Sequence, residues 1–308
     1  MGYRIGSFNM CNLSYESKGE VKKDFEKIAE IISSENFDIV AMQEVVSESA
    51  IKHMVKNLRN GQWKCKWGRP KSYHPNAEKG YAFVWNERRV REIPAEDNLQ
   101  IIQEKTMTRS PFYARFEAND CFCEIRLLDI HLYHGGSDSQ MNIEKRNEEF
   151  LNMAGKVYPR ISQKRYKMND EANGSCRPAY TIMLGDYNLN LKTLWNSSPY
   201  LKYEQYEIPG TNEVIVTVQN QKTTLKKYTS DETTDADELR GYKNNFDHCS
   251  YGINRFVGVN IRASKVDAVR KYFGDDFKKY RDTVSDHVPI LVELDLNPNG
   301  NGGESVNG

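Results

Sequence analysis

Six stretches of the chain place an amide, a carboxylate or an imidazole at the end of an apolar run. Asn9 follows Tyr3 to Phe8, and Glu44 follows Phe37 to Met42. His131 follows Leu127-Leu128-Asp129-Ile130, and Asp186 and Asn188 follow Thr181 to Leu184. Asp247 opens the run Phe246 to Tyr251, and Asp286 and His287 precede Val288 to Val292. Carboxylate and amide oxygens are ligands for a hard divalent cation. Imidazoles beside carboxylates hold and move protons near neutral pH. Each residue also has a plain role available. Glu44 can cap a helix, Asp186 can belong to a turn, His131 can be a core histidine, and Asp286 with His287 can cap a loop. Turn chemistry alone does not explain the same few residue types at six strand ends. In a sheet-based fold such ends can converge on one edge.

The elements around these residues suit that convergence. Tyr3 to Phe8 reads as a first strand ending at Asn9. Val21, Phe25, Ile28 and Ile32 recur at helical spacing, and Phe37 to Met42 reads as a buried strand. Ile51, Met54, Val55 and Leu58 mark a second helix. The middle of the chain holds short aromatic or β-branched runs, Trp63 to Trp67, Tyr81 to Trp85, Phe112 to Phe116 and Cys121 to Ile130, which predict antiparallel strands. A long helix is expected over Met141 to Ile161, followed by strands at Tyr180 to Leu184, Phe246 to Tyr251 and Val288 to Leu296. Lys164 to Pro178 and Thr229 to Asn245 read as long polar loops.

Composition narrows the function classes. The 308 residues carry 43 basic and 43 acidic side chains, so no global field draws the chain to nucleic acid or membrane. Any pull on phosphate must come from local cations or bound metal. Two basic stretches interleave with aromatics, Lys64, Lys66, Arg69 and Lys71 with Trp63, Trp67 and Tyr73, and Lys222, Lys226 and Lys227 with Tyr228. Cys11, Cys65, Cys121, Cys123, Cys176 and Cys249 are scattered without a CxxC pair, which reads as reduced thiols rather than a zinc site. Cys121 and Cys123 are expected on one face of a strand. The start lacks a signal-peptide pattern, and no run reaches the roughly 18 apolar residues of a membrane span. A cytoplasmic monomer without a membrane span is expected. Residues 1–296 are expected to form one catalytic domain, and the Gly- and Asn-rich stretch 297–308 a disordered tail.

The motifs Ser7-Phe8-Asn9-Met10, Gln43-Glu44-Val45, Asp129-Ile130-His131-Leu132, Gly185-Asp186-Tyr187-Asn188, Phe246-Asp247-His248 and Ser285-Asp286-His287-Val288-Pro289 occur in this order. Together they resemble the endonuclease/exonuclease/phosphatase superfamily from about Tyr3 to Leu296. The resemblance implies an α/β fold, a four-layer α/β/β/α sandwich of two packed mixed sheets flanked by helices. It implies a phosphoester hydrolase using Mg²⁺ or Mn²⁺, with Ca²⁺ as a possible structural ion. Glu44 would bind the metal, with Asn9 in its shell or on phosphate and Asp286 beside it. Asp186 would orient or deprotonate the water, and Asn188 would hold a phosphoryl oxygen. His287 would pair with Asp286, and His131 with Asp247.

Glu78 to Asn86 and Arg109 to Phe116 resemble the deoxyribonuclease I-like branch, which implies a nuclease on DNA with Tyr81 and Arg109 near the substrate. Three positions depart from that branch. Val46 stands where an arginine contacts DNA, Lys79 where a glutamate stands, and His248 where an arginine often follows the second aspartate. The alternatives are a phosphatase or phospholipase-type esterase on inositol phosphates, sphingomyelin or another small phosphoester, and a catalytically silent interaction domain.

Overall fold

The computed structural model describes residues 2–15, 22–69, 79–94, 106–164, 177–191, 199–227 and 241–296. The expected tail 297–308 lies outside these residues, as do most of the two polar loops, Cys176, and Lys71, Tyr73 and Tyr228 of the basic stretches.

The chain runs β1 (Gly2–Leu13), α1 (Phe25–Ser34), β2 (Ile39–Val45), α2 (Glu48–Lys56), β3 (Trp63–Gly68), β4 (Gly80–Asn86), β5 (Val90–Ile93), β6 (Phe112–Ala118) and β7 (Glu124–His131). It continues through α3 (Gln140–Asn152), a π-helical turn (Met153–Val157), α4 (Tyr158–Ser162) and β8 (Ala179–Asp186). Then come β9 (Asn190–Leu191), β10 (Tyr200–Leu201), β11 (Gln205–Glu207), β12 (Val214–Val218), β13 (Asp247–Gly252) and β14 (Asn260–Lys265). Helices Ala268–Phe273 and Phe277–Thr283 precede β15 (Ile290–Asp295). Asp24 and Ser47 cap α1 and α2 with side-chain oxygens, so Glu44 is not the cap of α2.

One sheet has six strands in the order β14-β15-β1-β2-β4-β3, and the other seven in the order β11-β12-β13-β8-β7-β6-β5. Alternation along the strands builds the layers. Ile39 and Ala41 of β2 face the inter-sheet core with Phe83, Phe112, Phe116, Leu127 and Leu184, while Val40 and Met42 face α1 and α2. On β7, Ile125 and Leu127 point inward, while Leu128 and Ile130 pack under α3 with Phe150 and Val157. The result is the α/β/β/α sandwich expected from the resemblance. No helix among the described residues is long and apolar enough to cross a membrane.

Several details differ from the sequence reading. The expected helix over Met141 to Ile161 is interrupted by the π-helical turn, although its apolar positions are buried as expected. Cys121 and Cys123 lie in the turn before β7 rather than on a strand, with their sulfurs 3.1 Å apart.

The topology explains where the polar residues go. β1 and β2 run parallel, as do β7 and β8. β15 runs antiparallel to β1, and β13 antiparallel to β8. The C-terminal ends of the first four strands therefore lie at the same edge as the N-terminal ends of the last two. Register completes the grouping, since Asp186 is opposite both His131 and Asp247.

Candidate active site

The shared edge opens into a cleft of about 400 Å³, lined by Asn9, Glu44, Arg109, His131, Asp186, Asn188, Asp286 and His287 among others. Of the residues singled out in the sequence, two stand back from it. Asp247 is buried behind His287. Tyr81, expected to touch substrate, lies in the inter-sheet core at 1% exposure, with its ring stacked on Phe112. That correction has a simple cause: Tyr81 and Phe83 share the inward face of β4.

Backbone irregularity aims the cleft residues. β1 bulges between Asn9 and Leu13, and Cys11 and Asn12 there have φ of 44° and 67°. β2 is irregular between Gln43 and Val45, and Glu44 between them has φ 59°. Asn188 has φ 52°. Left-handed backbone at non-glycine residues is uncommon and collects at sites where a side chain must leave the regular pleat. Gly185 has φ +145°, and a Cβ there would meet the Ile130 carbonyl at 1.9 Å. Below the cleft, buried Gln43 of β2 donates to Asp129 Oδ1 of β7 at 2.6 Å and to Ser7 Oγ at 3.1 Å, tying the two sheets together.

Asp186 stands at the centre. Its Oδ2 accepts the Asn9 amide at 2.9 Å, and its Oδ1 accepts the Asn188 backbone N–H at 2.8 Å. His131 Nε2 lies 3.5 Å and His287 Nε2 3.8 Å from Asp186 Oδ2. Burial is the largest influence on the Asp186 carboxyl and drives its pKa up, with the Asp247 charge adding to the rise and His287 opposing it.

The structure revises the expected histidine pairings. His287 Nδ1 meets Asp247 Oδ2 at 2.8 Å, so Asp247 is the partner of His287 and not of His131. Burial lowers the His287 pKa, but Asp247 and Asp186 outweigh it and hold the imidazolium well above its ordinary value. His131 goes the other way. Burial, followed by Arg109 and Lys79, depresses it well below the usual range. Asp286, the partner expected for His287, faces the cleft instead. Burial raises its carboxyl, but the His287 charge, the Cys11 thiol and Arg281 bring it net below the ordinary carboxylate range.

Glu44 and Asp286, which line the same cleft, offer carboxylate oxygens that could hold a cation. No group of three or more His, Cys, Asp or Glu suited to a metal occurs among the described residues. One or two carboxylates completed by water fit Mg²⁺ and do not fit a closed structural zinc site. Asn9 is already engaged, its Oδ1 accepting the Cys11 N–H at 3.0 Å and its amide held on Asp186. Lys79 Nζ sits 2.5 Å from Glu44 Oε2. Arg109 donates to the His131 and Leu132 carbonyls at 3.4 Å each and has no ion pair among the described residues.

Helix α3 braces the cleft. Buried Glu149 accepts the Thr108 and Tyr133 backbone N–H groups at 2.7 and 2.8 Å, fixing the segments that carry Arg109 and His134. Fully buried Arg146 donates to the carbonyls of Asn188, His134 and Ser137 and to Asp138. Neither residue stands out in sequence, where both look like ordinary charges on a helix face. Of the basic stretches, Lys66 is ion-paired with Glu92, and Lys222 is 3% exposed.

No protein-family model matches the chain, and no curated protein sequence does. Solved structures do match in fold. A truncated TDP2 of Caenorhabditis elegans superposes with TM-score 0.57 at 16% identity, over 96% of this chain and 98% of that one. A Bacteroides thetaiotaomicron protein described as of the endonuclease/exonuclease/phosphatase family gives TM-score 0.56 at 14% identity, over 97% and 99%. A mannosyl-6-phosphatase of the same organism gives 0.54 at 14% identity, over 95% and 99%. The chain therefore shares the endonuclease/exonuclease/phosphatase fold over nearly its whole length.

Proposed function

We propose that the chain is a divalent-metal-dependent phosphodiesterase and that its substrate is DNA. The observation carrying this reading is the meeting of Glu44, His131, Asp186, Asp286 and His287, drawn from both sheets, around one open cleft. A phosphodiester resists cleavage because the attacked centre is anionic and charge grows on the leaving oxygen. Mg²⁺ or Mn²⁺ held by Glu44 and Asp286 would supply positive charge at the phosphoryl oxygens. Asp186, with its proton affinity raised by burial, takes the proton of the attacking water, while Asn9 and Asn188 hold its carboxylate in place. The bond from water oxygen to phosphorus forms as the bond to the leaving oxygen breaks, and the leaving oxygen takes up a proton from solvent at the open cleft. His287, kept cationic by Asp247, donates to a phosphoryl oxygen through Nε2. His131, held neutral, hydrogen-bonds the phosphate from β7, and Arg109 adds a guanidinium at the rim.

DNA as substrate is supported by the D. rerio TDP2 structure complexed with a single-strand DNA product, which matches at TM-score 0.55 and 14% identity over 96% of this chain. The fold also carries a mannosyl-6-phosphatase, so architecture alone does not choose between diester and monoester. The test is purified protein with Mg²⁺ or Mn²⁺ on plasmid, single-stranded DNA, RNA, phosphoinositides and a sugar phosphate side by side, with Glu44→Gln as the blank. Release of acid-soluble nucleotide from DNA, absent in the variant, is expected. Release of inorganic phosphate from the sugar phosphate alone overturns the DNA reading. Metal binding without turnover of any of these substrates overturns the enzymatic one.

A further inference from the structure

Thr223 is fully buried beside Asp247, next in the chain to Thr224, which lines the cleft. Its hydroxyl lies 2.5 Å from Asp247 Oδ2, the same oxygen that holds His287 Nδ1 at 2.8 Å. The Phe246 and Asp247 backbone N–H groups both reach Thr223 Oγ1, at 3.3 Å each. With its oxygen serving as acceptor to two N–H groups, the hydroxyl has one proton to give, and the carboxylate is where it goes. Asp247 Oδ1 has no hydrogen-bond partner among the described residues, so the orientation of the carboxylate rests on Oδ2. The Thr223 backbone is anchored on both sides, its N–H on the Asn244 carbonyl at 2.7 Å and its carbonyl on the Val288 N–H at 2.9 Å. Thr224 is bridged to His287 itself.

We propose that Thr223 is a positioning residue for the phosphoryl-transfer site, whose hydroxyl locks the Asp247 carboxylate so that His287 keeps its proton on Nδ1 and aims Nε2 into the cleft. The inference rests on the reading of His287 given above. Without the hydroxyl, one hydrogen bond from His287 is left to orient a carboxylate that rotates about its own side-chain bond. The imidazole then loses the fixed direction that a near-attack geometry needs.

Thr223→Val keeps the shape and removes the proton donor, while Thr223→Ser keeps the donor and removes a methyl group. Turnover of bis(p-nitrophenyl) phosphate with Mn²⁺ is measured for both in the full chain. Alongside it, the Nδ1–H proton resonance of His287 is followed in protein carrying isotope-labelled histidine. Thr223→Val is expected to lower kcat by roughly tenfold to a hundredfold with KM within about twofold, and Thr223→Ser to stay within about threefold of wild type. The Nδ1–H resonance moves upfield in Thr223→Val and keeps its place in Thr223→Ser. In an Asp247→Asn background, Thr223→Val adds little further loss. Wild-type kcat in a folded Thr223→Val protein overturns the proposal, as does a Thr223→Ser protein impaired as much as the valine variant. If Thr223→Val does not fold, the serine variant and the wild-type resonance decide, because lack of a protected His287 Nδ1–H in the folded wild type is equally fatal. A wild type that turns over no phosphoester sinks the enzymatic reading, whereas the resonance comparison still judges Thr223.

Discussion

The pairing of His287 with Asp247 can be decided by a double-mutant cycle on stability. His287 is 8% exposed and Asp247 1%, and their contact is 2.8 Å. His287→Ala leaves a buried carboxylate with the Thr223 hydroxyl as its remaining side-chain donor and Oδ1 unpartnered. Asp247→Ala leaves His287 facing Asp186 at 3.8 Å. Breaking a buried ion pair from either side costs about 3–5 kcal/mol, because the survivor is stranded in a poorly solvated place. The double variant strands neither group, and what remains is chiefly the loss of packing. The two single losses should therefore exceed the double by about 2 kcal/mol or more, against the ~0.5 kcal/mol scatter of independent sites. Guanidinium unfolding of the four proteins at neutral pH, with unchanged slopes, measures the cycle. The same cycle for His131 and Asp247 should show clearly weaker coupling, since the two communicate only through Asp186 and His287. Additivity for His287 with Asp247, or strong coupling for His131 with Asp247, refutes the arrangement. Turnover should fall by roughly two to four orders of magnitude in every variant lacking His287.

Three further outcomes follow from the geometry. Gly185→Ala forces a Cβ to within 1.9 Å of the Ile130 carbonyl and should cost about 3 kcal/mol or more by thermal or denaturant unfolding, while Gly136→Ala, in open space but also at positive φ, should cost less. Arg146→Met keeps bulk but strands the carbonyls of His134, Ser137 and Asn188, and should lower stability by about 3 kcal/mol. Amide exchange over 134–138 should speed up in that variant, and unchanged protection there would contradict the bracing role. Lys79→Met removes the ammonium that competes for Glu44 and should tighten Mn²⁺ binding by ~threefold to tenfold in a direct titration; unaltered affinity would place the metal elsewhere.

What was legible in sequence and what was not divides along physical lines. Ile39–Val45 and Glu124–His131 show as strands because one pleated face meets the inter-sheet core and the other meets helices, so each carries apolar residues on both faces. Helix α1 shows through the spacing of Phe25, Ile28 and Ile32. The polar edge strands Gln205–Glu207 and Asn260–Lys265 have no such signal, since each is paired on one side only and largely wetted. Val214–Val218 is β-branched throughout yet is not among the strands expected from sequence, and nothing in it marks its place beside β13. The π-helical turn leaves the apolar positions nearly where a straight helix would put them, so periodicity does not betray it. In the site, the strand-end residues were legible by type. Their partnerships were not, because His287 and Asp247 are 40 residues apart and meet through the register of β13 on β8 and the entry of β15 beside β1.

The same imidazole chemistry is split into two states by what each ring faces. His131 comes off β7 into full burial with Arg109 and Lys79 near it, which together push its proton affinity down although Asp186 lies at 3.5 Å and Glu44 at 3.9 Å. His287 enters on the other sheet with Asp247 directly behind it at 2.8 Å. Within a single cleft one ring's proton affinity is pushed down and the other's up. Neither state can be assigned from residue type, because an isolated histidine titrates between them. The split needs carboxylates unequally shared between the rings, and the sheets supply that inequality by register. Exchanging the partners, as the order of residues along the chain alone suggests, would leave His287 with the exposed-side Asp286 and charge the wrong ring. The double-mutant cycle therefore tests the division of roles between the two histidines as well as the contact.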